Sequence, residues 1–201
     1  MESKRSKRLK ERLSNDLDRI CCAYHESGHA IIALINHFKL SDIGLDYEST
    51  YGGYCNFDVV ECDEFKGHKI REYLIVQEIG VNFAGLAAEK INYFNIFGAN
   101  QLPKVLKYGS GIDLKVISTL ISKHELAAAG RARQNFKKQI FKHVTNQLQK
   151  HWSDVTLLAH RLYKRKRLSY TDIKKLLCSK SIYKEFWKNQ FKEINFIFRN
   201  S

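Results

Sequence analysis

The 201-residue sequence lacks the features that mark membrane proteins and disulfide-stabilised secreted proteins. No apolar run approaches the roughly 18 residues that a membrane-spanning helix needs, and the N-terminus MESKRSKRLKERLSNDLDR has no apolar centre of a secretion signal. The five cysteines are odd in number and form no CxxC pair, so neither a disulfide framework nor a cysteine zinc knuckle is indicated. We therefore expect no membrane span and a cytoplasmic, reducing location.

The sequence contains a single proline, and helical patterns run through most of its length. With 44% apolar and 12% aromatic residues, the composition is typical of a globular domain. Apolar residues recur at helical spacing over residues 16–38 and 70–94, and a third helix is expected to begin near Asp113, with about four more after it. Ser169 and Asp172 form a capping box that marks one of these starts. The sequence therefore predicts a mainly α fold.

One segment favours β-structure. Residues 43–57 carry β-favouring side chains on both sides of the pair Gly52 and Gly53, which predicts a small β-hairpin or edge sheet. No internal repeat or linker divides the chain. We expect residues 1–15, which are strongly basic, to form a flexible N-terminal segment, and residues 16–201 to form one domain.

Basic residues outnumber acidic ones, and the formal net charge is +13. They cluster at the N-terminus and again in YKRKR, residues 163–167, so an acidic partner such as nucleic acid or a membrane surface has to be considered. Solvated helix faces are the more common explanation of such clusters. Because no basic motif with interleaved aromatic residues is present, nucleic acid is not expected as a partner.

The segment CCAYHESGHAIIALI, residues 21–35, combines an apolar helical pattern with an HExxH motif. His25 and His29 lie four residues apart, so both side chains project from one face of a helix about 6 Å apart along its axis and can bind the same ion. Glu26 lies about 100° around the helix from His25, where its carboxylate can take a proton from a water molecule beside the ion. The pattern predicts a catalytic zinc (Zn²⁺) site with His25 and His29 as metal ligands.

Such a site needs a third ligand from elsewhere in the chain. Cys21 precedes His29 by eight residues, about 12 Å along a helix, so one ion cannot reach both. We interpret Cys21 and Cys22 as small buried residues. Glu89 in AGLAAEK and Asp113 in YGSGIDLK both remain candidates, because spacing alone does not distinguish them.

Three segments in order, AYHESGHAIIAL, AGLAAEKI and GSGIDLK, resemble the peptidase domain of the FtsH family of ATP-dependent zinc metalloproteases, whose hallmarks are HEAGHA, AGRAAEE and TGASNDL. The likeness covers most of the chain. It implies a helical peptidase fold over residues 16–201 in which His25, His29 and Asp113 bind zinc and Glu26 is the general base. Glu89 would then support a ligand or the structure.

The sequence also departs from the family pattern. Ser27, Leu86, Lys90 and Ile112 replace residues that are usual in the three motifs, although none of these changes removes an expected ligand. No GxxxxGK[ST] phosphate loop is present, so we expect no ATP hydrolysis by that machinery. The ability to unfold protein substrates would be absent or would come from a separate ATPase partner. A homo-oligomer is also compatible with the sequence.

These observations predict a zinc metalloendopeptidase that acts on unfolded or flexible polypeptides. By resemblance, the strands of residues 43–57 would provide an edge that aligns an extended substrate, whereas a plain hairpin covering the core is an equal alternative. The competing function is a catalytically inactive relative that serves as a binding or regulatory module.

Overall fold

The computed structural model describes residues 4–46, 52–59, 68–98 and 111–177. Within these ranges helices dominate and three short strands form one antiparallel sheet, so the prediction of a mainly α fold with a small sheet is confirmed. The elements in chain order are α1 (Lys4–Ile35), β1 (Lys39–Asp46), β2 (Gly52–Asp58), α2 (His68–Phe97), α3 (Gly111–Lys123), α4 (Arg131–Lys150), α5 (Trp152–Arg165), β3 (Arg167–Ser169) and α6 (Tyr170–Leu177).

Helices α1 and α2 cross at close range inside the core. A methyl group on Gly28 of α1 would lie 2.6 Å from the carbonyl oxygen of Ala84 and 2.7 Å from the Cβ of Ala88, both on α2. These distances are well inside normal van der Waals contact, so a residue with a Cβ would force the helices apart. The crossing brings Gly85 of α2 against the histidine pair of α1.

A Schellman motif ends α1 and turns the chain into β1. The N–H of Phe38 donates to the carbonyl oxygen of Ala33 over 2.9 Å, and the N–H of His37 donates to that of Leu34 over 3.2 Å. These two bonds define the motif, whose turning residue adopts the left-handed conformation. His37 accordingly has a φ of 59°.

The sheet has the order β2-β1-β3, which makes β1 the central strand. It pairs with β2 from Lys39 opposite Asp58 to Asp46 opposite Gly52, and with β3 around Ile43. Both β1 and β2 contact α1, so the sheet lies beside the helix that carries the HExxH motif.

Helix α3 is anchored by a face that points into the protein. Ile117 and Ile121 are fully buried and cluster with Ile79 and Phe83 of α2. Asp113 precedes Ile117 by four residues, and therefore lies on the same face of the helix. Apolar packing of α3 thus directs Asp113 inward.

The observed helix bounds agree with several predictions and correct one. Helix α2 and the start of α3 match their predicted positions. The capping box is confirmed, since the N–H of Asp172 donates to the Ser169 hydroxyl over 3.2 Å and the N–H of Ser169 donates to the Asp172 carboxylate over 3.1 Å. The prediction for the first helix, residues 16–38, was wrong, because α1 begins at Lys4 and ends at Ile35. Its N-terminal half is rich in good helix formers, and Leu9, Leu13 and Leu17 lie four residues apart, so the helical pattern starts earlier than predicted.

Other predictions were incomplete or stay untested. The short strand β3 was missed, because three residues are too few to show an alternating pattern. Three helices follow α3 in the described ranges, and residues 178–201 lie outside them. The division into residues 1–15 and 16–201 stays a prediction. No helix among the described residues has the length and apolar character that crossing a membrane requires.

The close helix crossing leads to a first prediction. Gly28→Ala should lower the free energy of unfolding by about 1–3 kcal/mol, the usual cost of overpacking a core. Gly80→Ala is the matched control, because a Cβ there would meet only Val144, at 3.5 Å. That change should be neutral or stabilising by up to about 1 kcal/mol. Urea unfolding of both variants provides the measurement, and equal stability of the two would contradict a glycine-dependent crossing.

Asp42 of β1 connects all three strands of the sheet. Its carboxylate accepts hydrogen bonds from Asn56 Nδ2 of β2 over 2.9 Å, from Arg167 Nε of β3 over 2.8 Å and from the Tyr54 hydroxyl over 3.4 Å. The bond from Asn56 is the largest influence on the pKa of Asp42; burial raises this pKa, and Arg167 and Tyr54 lower it further. The net effect is a pKa below the ordinary value of an aspartate.

This lowered pKa predicts how the sheet responds to acid. A carboxylate whose pKa is lower in the folded state stabilises the protein above its unfolded pKa, about 3.9, and loses that contribution as the pH falls through the folded value. The stability advantage of the natural protein over Asp42→Asn should therefore be constant above about pH 5 and shrink below about pH 4. Denaturant unfolding at a series of pH values measures it. If the stability advantage over Asp42→Asn grows as the pH falls, the lowered pKa of Asp42 is refuted.

Candidate metal centre

Helix α1 places the three polar residues of the HExxH motif in a buried position. His25, Glu26 and His29 are 4%, 5% and 6% exposed. Two imidazoles and a carboxylate at this depth would be costly without compensating partners. The contacts of each side chain therefore indicate what the site is built to hold.

The hydrogen bonds of the two imidazoles fix which ring nitrogen carries the proton. His29 Nδ1 lies 2.7 Å from the carbonyl oxygen of Val81, and since a carbonyl can only accept, Nδ1 is the donor. His25 Nδ1 lies 2.7 Å from Glu89 Oε1 and donates to it in the same way. In a neutral imidazole the other nitrogen then has a lone pair and no proton. Both Nε2 atoms are therefore available as ligands.

Asp113 brings a third acceptor to the same point. Its Oδ2 lies 3.1 Å from His25 Nε2 and 3.4 Å from His29 Nε2, and the two Nε2 atoms are 2.9 Å apart. Three lone-pair atoms this close repel one another unless a cation lies among them. Tetrahedral ligands with bonds of 2.0–2.1 Å are spaced about 3.3–3.4 Å apart, close to the observed separations. His25, His29 and Asp113 form a group that could bind a metal ion.

Protons compete with a metal for these atoms. Burial lowers the pKa of His25, but its contacts with Asp113 and Glu89 raise it by more, so the pKa lies well above the usual value. Burial raises the pKa of Asp113, and its contacts with His25 and His29 lower it by more, which leaves it below the usual value. The cluster thus attracts positive charge, which either protons or a metal ion can provide.

Glu89 supports the site from the side away from the converging atoms. Its Oε1 accepts the proton of His25 Nδ1, which fixes the orientation of that ring. Such carboxylate partners hold metal-binding histidines in the correct tautomer and make them better ligands. Glu89 is therefore placed to support a ligand, and it does not belong to the group of converging atoms.

Glu26 lies beside the converging atoms without being one of them. A Cβ on Gly53 of β2 would lie 2.5 Å from Glu26 Oε1, so a larger residue at this position would displace the carboxylate. Burial raises the pKa of Glu26 most; the charges of His25 and His29 lower it, and those of other nearby carboxylates raise it, with a net upward shift. A raised pKa brings a carboxylate closer to the range suited to a general base.

Gly85 of α2 gives the two imidazoles room. A Cβ at this position would overlap the His25 ring and lie 2.6 Å from His29 Nε2. A glycine inside a helix costs about 1 kcal/mol relative to alanine, so its presence here indicates close packing. The packing partners are the side chains of His25 and His29.

The neighbouring cysteines do not join the group of converging atoms. Cys21, Cys22 and Cys55 are free thiols. Burial, with smaller contributions from the charges of Glu89 and Asp18, raises the pKa of Cys21 to about 12, and burial raises those of Cys22 and Cys55 as well. A thiol binds metals as a thiolate, which these environments disfavour. The interpretation of Cys21 as a small buried residue agrees with this geometry, whereas Cys22 is only partly buried.

The five candidate residues identified from the sequence all lie at this site: His25, Glu26, His29, Glu89 and Asp113. The structure adds two residues that the sequence analysis did not identify, Val81 and Gly53. The carbonyl of Val81 orients His29, and no side-chain pattern could reveal a backbone contact of this kind. Gly53 contacts Glu26, and its only sequence signal was the glycine pair that predicted a turn. No family model matches the chain, and no curated protein matches it either.

The geometry predicts one divalent metal ion per chain. His25→Ala and His29→Ala should each abolish stoichiometric binding, since each removes one of three ligands. Asp113→Asn should weaken binding strongly, whereas Glu89→Gln should weaken it about 10- to 100-fold, as is typical when a partner of a ligand is lost. Metal analysis after dialysis and competition with a chromophoric chelator give these values.

His143→Ala provides the matched control, since His143 is exposed on α4. It should bind metal like the unmodified protein. Full occupancy in both variants of the ligand histidines would contradict the site, and a larger loss in Glu89→Gln than in Asp113→Asn would reverse the roles of the two carboxylates.

Proposed function

We propose that this chain is a zinc-dependent metalloendopeptidase similar to the FtsH peptidase domain, acting on unfolded or flexible polypeptides without an ATPase of its own. The observation that carries the proposal is the meeting of three separate motifs at one buried point. HESGH supplies His25 and His29, AGLAAEK supplies Gly85 and Glu89, and GSGIDLK supplies Asp113. Helix packing brings these segments together, but it does not by itself require polar side chains at the buried point where they meet.

The type of ligand supports zinc. Two imidazoles and one carboxylate are a ligand set found in catalytic zinc sites, which keep a further position for water or substrate. Imidazole suits zinc, whereas magnesium and calcium prefer sites made of oxygen atoms. When bound, zinc would supply a Lewis acid that polarises the scissile carbonyl and makes a nearby water molecule easier to deprotonate.

Glu26 provides the proton transfers that hydrolysis requires. Its carboxylate would accept a proton from the attacking water and then donate it to the leaving amine nitrogen, so the same group acts first as base and then as acid. The raised pKa of Glu26 favours the second step, because a more basic carboxylate holds the proton better until the amine leaves. Glu89 and the Val81 carbonyl keep the imidazoles in place meanwhile.

The sheet offers a way to hold an extended substrate. Strand β1 is interior, so the predicted edge cannot be β1; among the described strands, β2 pairs with β1 alone. Gly53 places β2 next to Glu26. A peptide that adds to the outer edge of β2 by main-chain hydrogen bonds would lie extended beside the general base. This mode of binding selects unfolded chains over folded ones.

The proposal is tested with Glu26→Gln and two substrates, a loosely folded casein-like protein and a stable globular domain. The unmodified zinc-loaded protein should cleave only the loose substrate, equally with and without ATP, because a fold stable by about 5–15 kcal/mol rarely exposes its backbone. Glu26→Gln should keep its zinc and lose about 100-fold or more in cleavage rate. Gel assays measure the cleavage rate, and metal analysis measures the zinc content.

Glu125→Gln is the matched control, because Glu125 is exposed and its loss should leave cleavage unchanged. A chelator should stop the reaction. Undiminished cleavage by Glu26→Gln would remove Glu26 from the mechanism, and stimulation by ATP would reveal a nucleotide site. If zinc-loaded protein cleaves nothing, the inactive binding module becomes the better account.

A further inference from the structure

Helix α4 has no acidic residue. The chain contains no Asp or Glu between Glu125 and Asp154, a stretch that includes the whole helix. Over the same 20 residues the helix carries Arg131, Arg133, Lys137, Lys138, Lys142 and Lys150. Surface helices usually mix both signs of charge, since pairs four residues apart stabilise them. The exclusive use of cations therefore suggests a role outside the helix itself.

Some of the cations of α4 have contacts inside the protein. Val144 and Leu148 are buried in the core. Two of the cations point toward α3, where Arg133 donates to the Ser122 hydroxyl over 3.2 Å and Lys137 donates to Ser118 over 2.9 Å. These contacts hold α3, and hence Asp113, against α4.

Three of the four remaining cations lie in a line on the outer side together with one asparagine and one glutamine. We call this line the outer stripe: Arg131, Asn135, Lys138, Lys142 and Gln149. All five side chains are exposed. At 100° per residue they lie within about 60° of one another around the helix and extend about 27 Å along it. Within the part of the chain that the structure describes, the three cations make no ion pair.

We propose that the outer stripe of α4 binds the phosphate backbone of double-stranded nucleic acid without sequence preference. Phosphate oxygens are contacted in complexes by Arg and Lys together with Asn and Gln, the residue types that make up the stripe. A line of cations along a rigid helix gives a polyanion several contacts at once. This binding is independent of the metal centre and of the proposed peptidase activity.

The composition of the stripe argues against other acidic partners. Every exposed position of α4 apart from Ala132 is polar or charged. A helix that lies on an anionic membrane needs large apolar side chains to insert, and a protein interface usually has an apolar or aromatic centre. Single strands bind by stacking on aromatic side chains, which the stripe also lacks. A duplex presents a continuous line of phosphates along its backbone, and the stripe suits that surface.

The test compares two triple variants with the same net charge. The first is Arg131→Gln, Lys138→Gln and Lys142→Gln. The control is Lys39→Gln, Lys123→Gln and Lys174→Gln, which removes three exposed cations from β1, α3 and α6. Fluorescence anisotropy with labelled DNA and RNA duplexes of unrelated sequence measures affinity between 50 and 200 mM salt, and thermal unfolding shows that both variants are folded.

The unmodified protein and the control should bind both kinds of duplex with dissociation constants on the order of 10⁻⁴ to 10⁻⁶ M, similar for unrelated sequences. Each lost phosphate contact reduces the salt slope by about 0.9. Between 50 and 200 mM salt, the affinity of the stripe variant should therefore fall by a factor roughly 40-fold smaller than the affinity of the control. His29→Ala should bind duplexes normally.

Three further probes distinguish the alternatives: a single-stranded oligonucleotide, vesicles containing anionic lipid, and polyglutamate. Tighter binding of any of these than of the duplexes, lost in the stripe variant, would overturn the proposal in favour of that partner. Equal salt slopes for the stripe variant and the control would show that net charge alone is responsible. Absence of duplex binding by the unmodified protein at 50 mM salt would also refute the proposal.

Discussion

The close crossing of α1 and α2 is the constraint on which the candidate site depends. Gly28 permits backbone contact between the helices, and Gly85 leaves space for both imidazoles on the opposing surface. At this separation Glu89 and the Val81 carbonyl, both on α2, reach the Nδ1 atoms of histidines on α1. Their two Nε2 atoms are thereby turned toward the same point. The geometry of the candidate site is therefore a consequence of helix packing, and Gly28 and Gly85 provide the space that it requires.

The sequence predicted the local part of this arrangement and left the long-range part open. The spacing of His25 and His29 requires a shared face as soon as the segment is helical, so that pair could be identified without a structure. Glu89 and Asp113 could not be ranked by spacing, because each is brought in by tertiary packing. The structure distinguishes the two carboxylates by the atoms that they contact: Glu89 meets His25 at Nδ1, whereas Asp113 meets the Nε2 atoms of both histidines.

Features without a periodic signal were beyond prediction. The strand β3 is too short to alternate, and it is defined by its pairing with β1. The start of α1 was misplaced because its first turns are mostly charged and carry only single leucines, at positions 9, 13 and 17, as a helical signal. The outer stripe of α4 escaped notice for a related reason. Its cations stand apart in the sequence, at positions 131, 138 and 142, and they line up only when the helix and its buried side are known.

The distribution of charge links the interior of the protein to its surface. Over residues 111–177 the acidic residues are few, and most have structural tasks: Asp113 faces the histidines, Asp154 is buried, and Asp172 completes the capping box of α6. Asp172 also pairs with the exposed Arg165 over 3.3 Å. The basic residues of this region outnumber these carboxylates and are mainly exposed. In this region the surface therefore carries an excess of positive charge, which attracts anionic ligands.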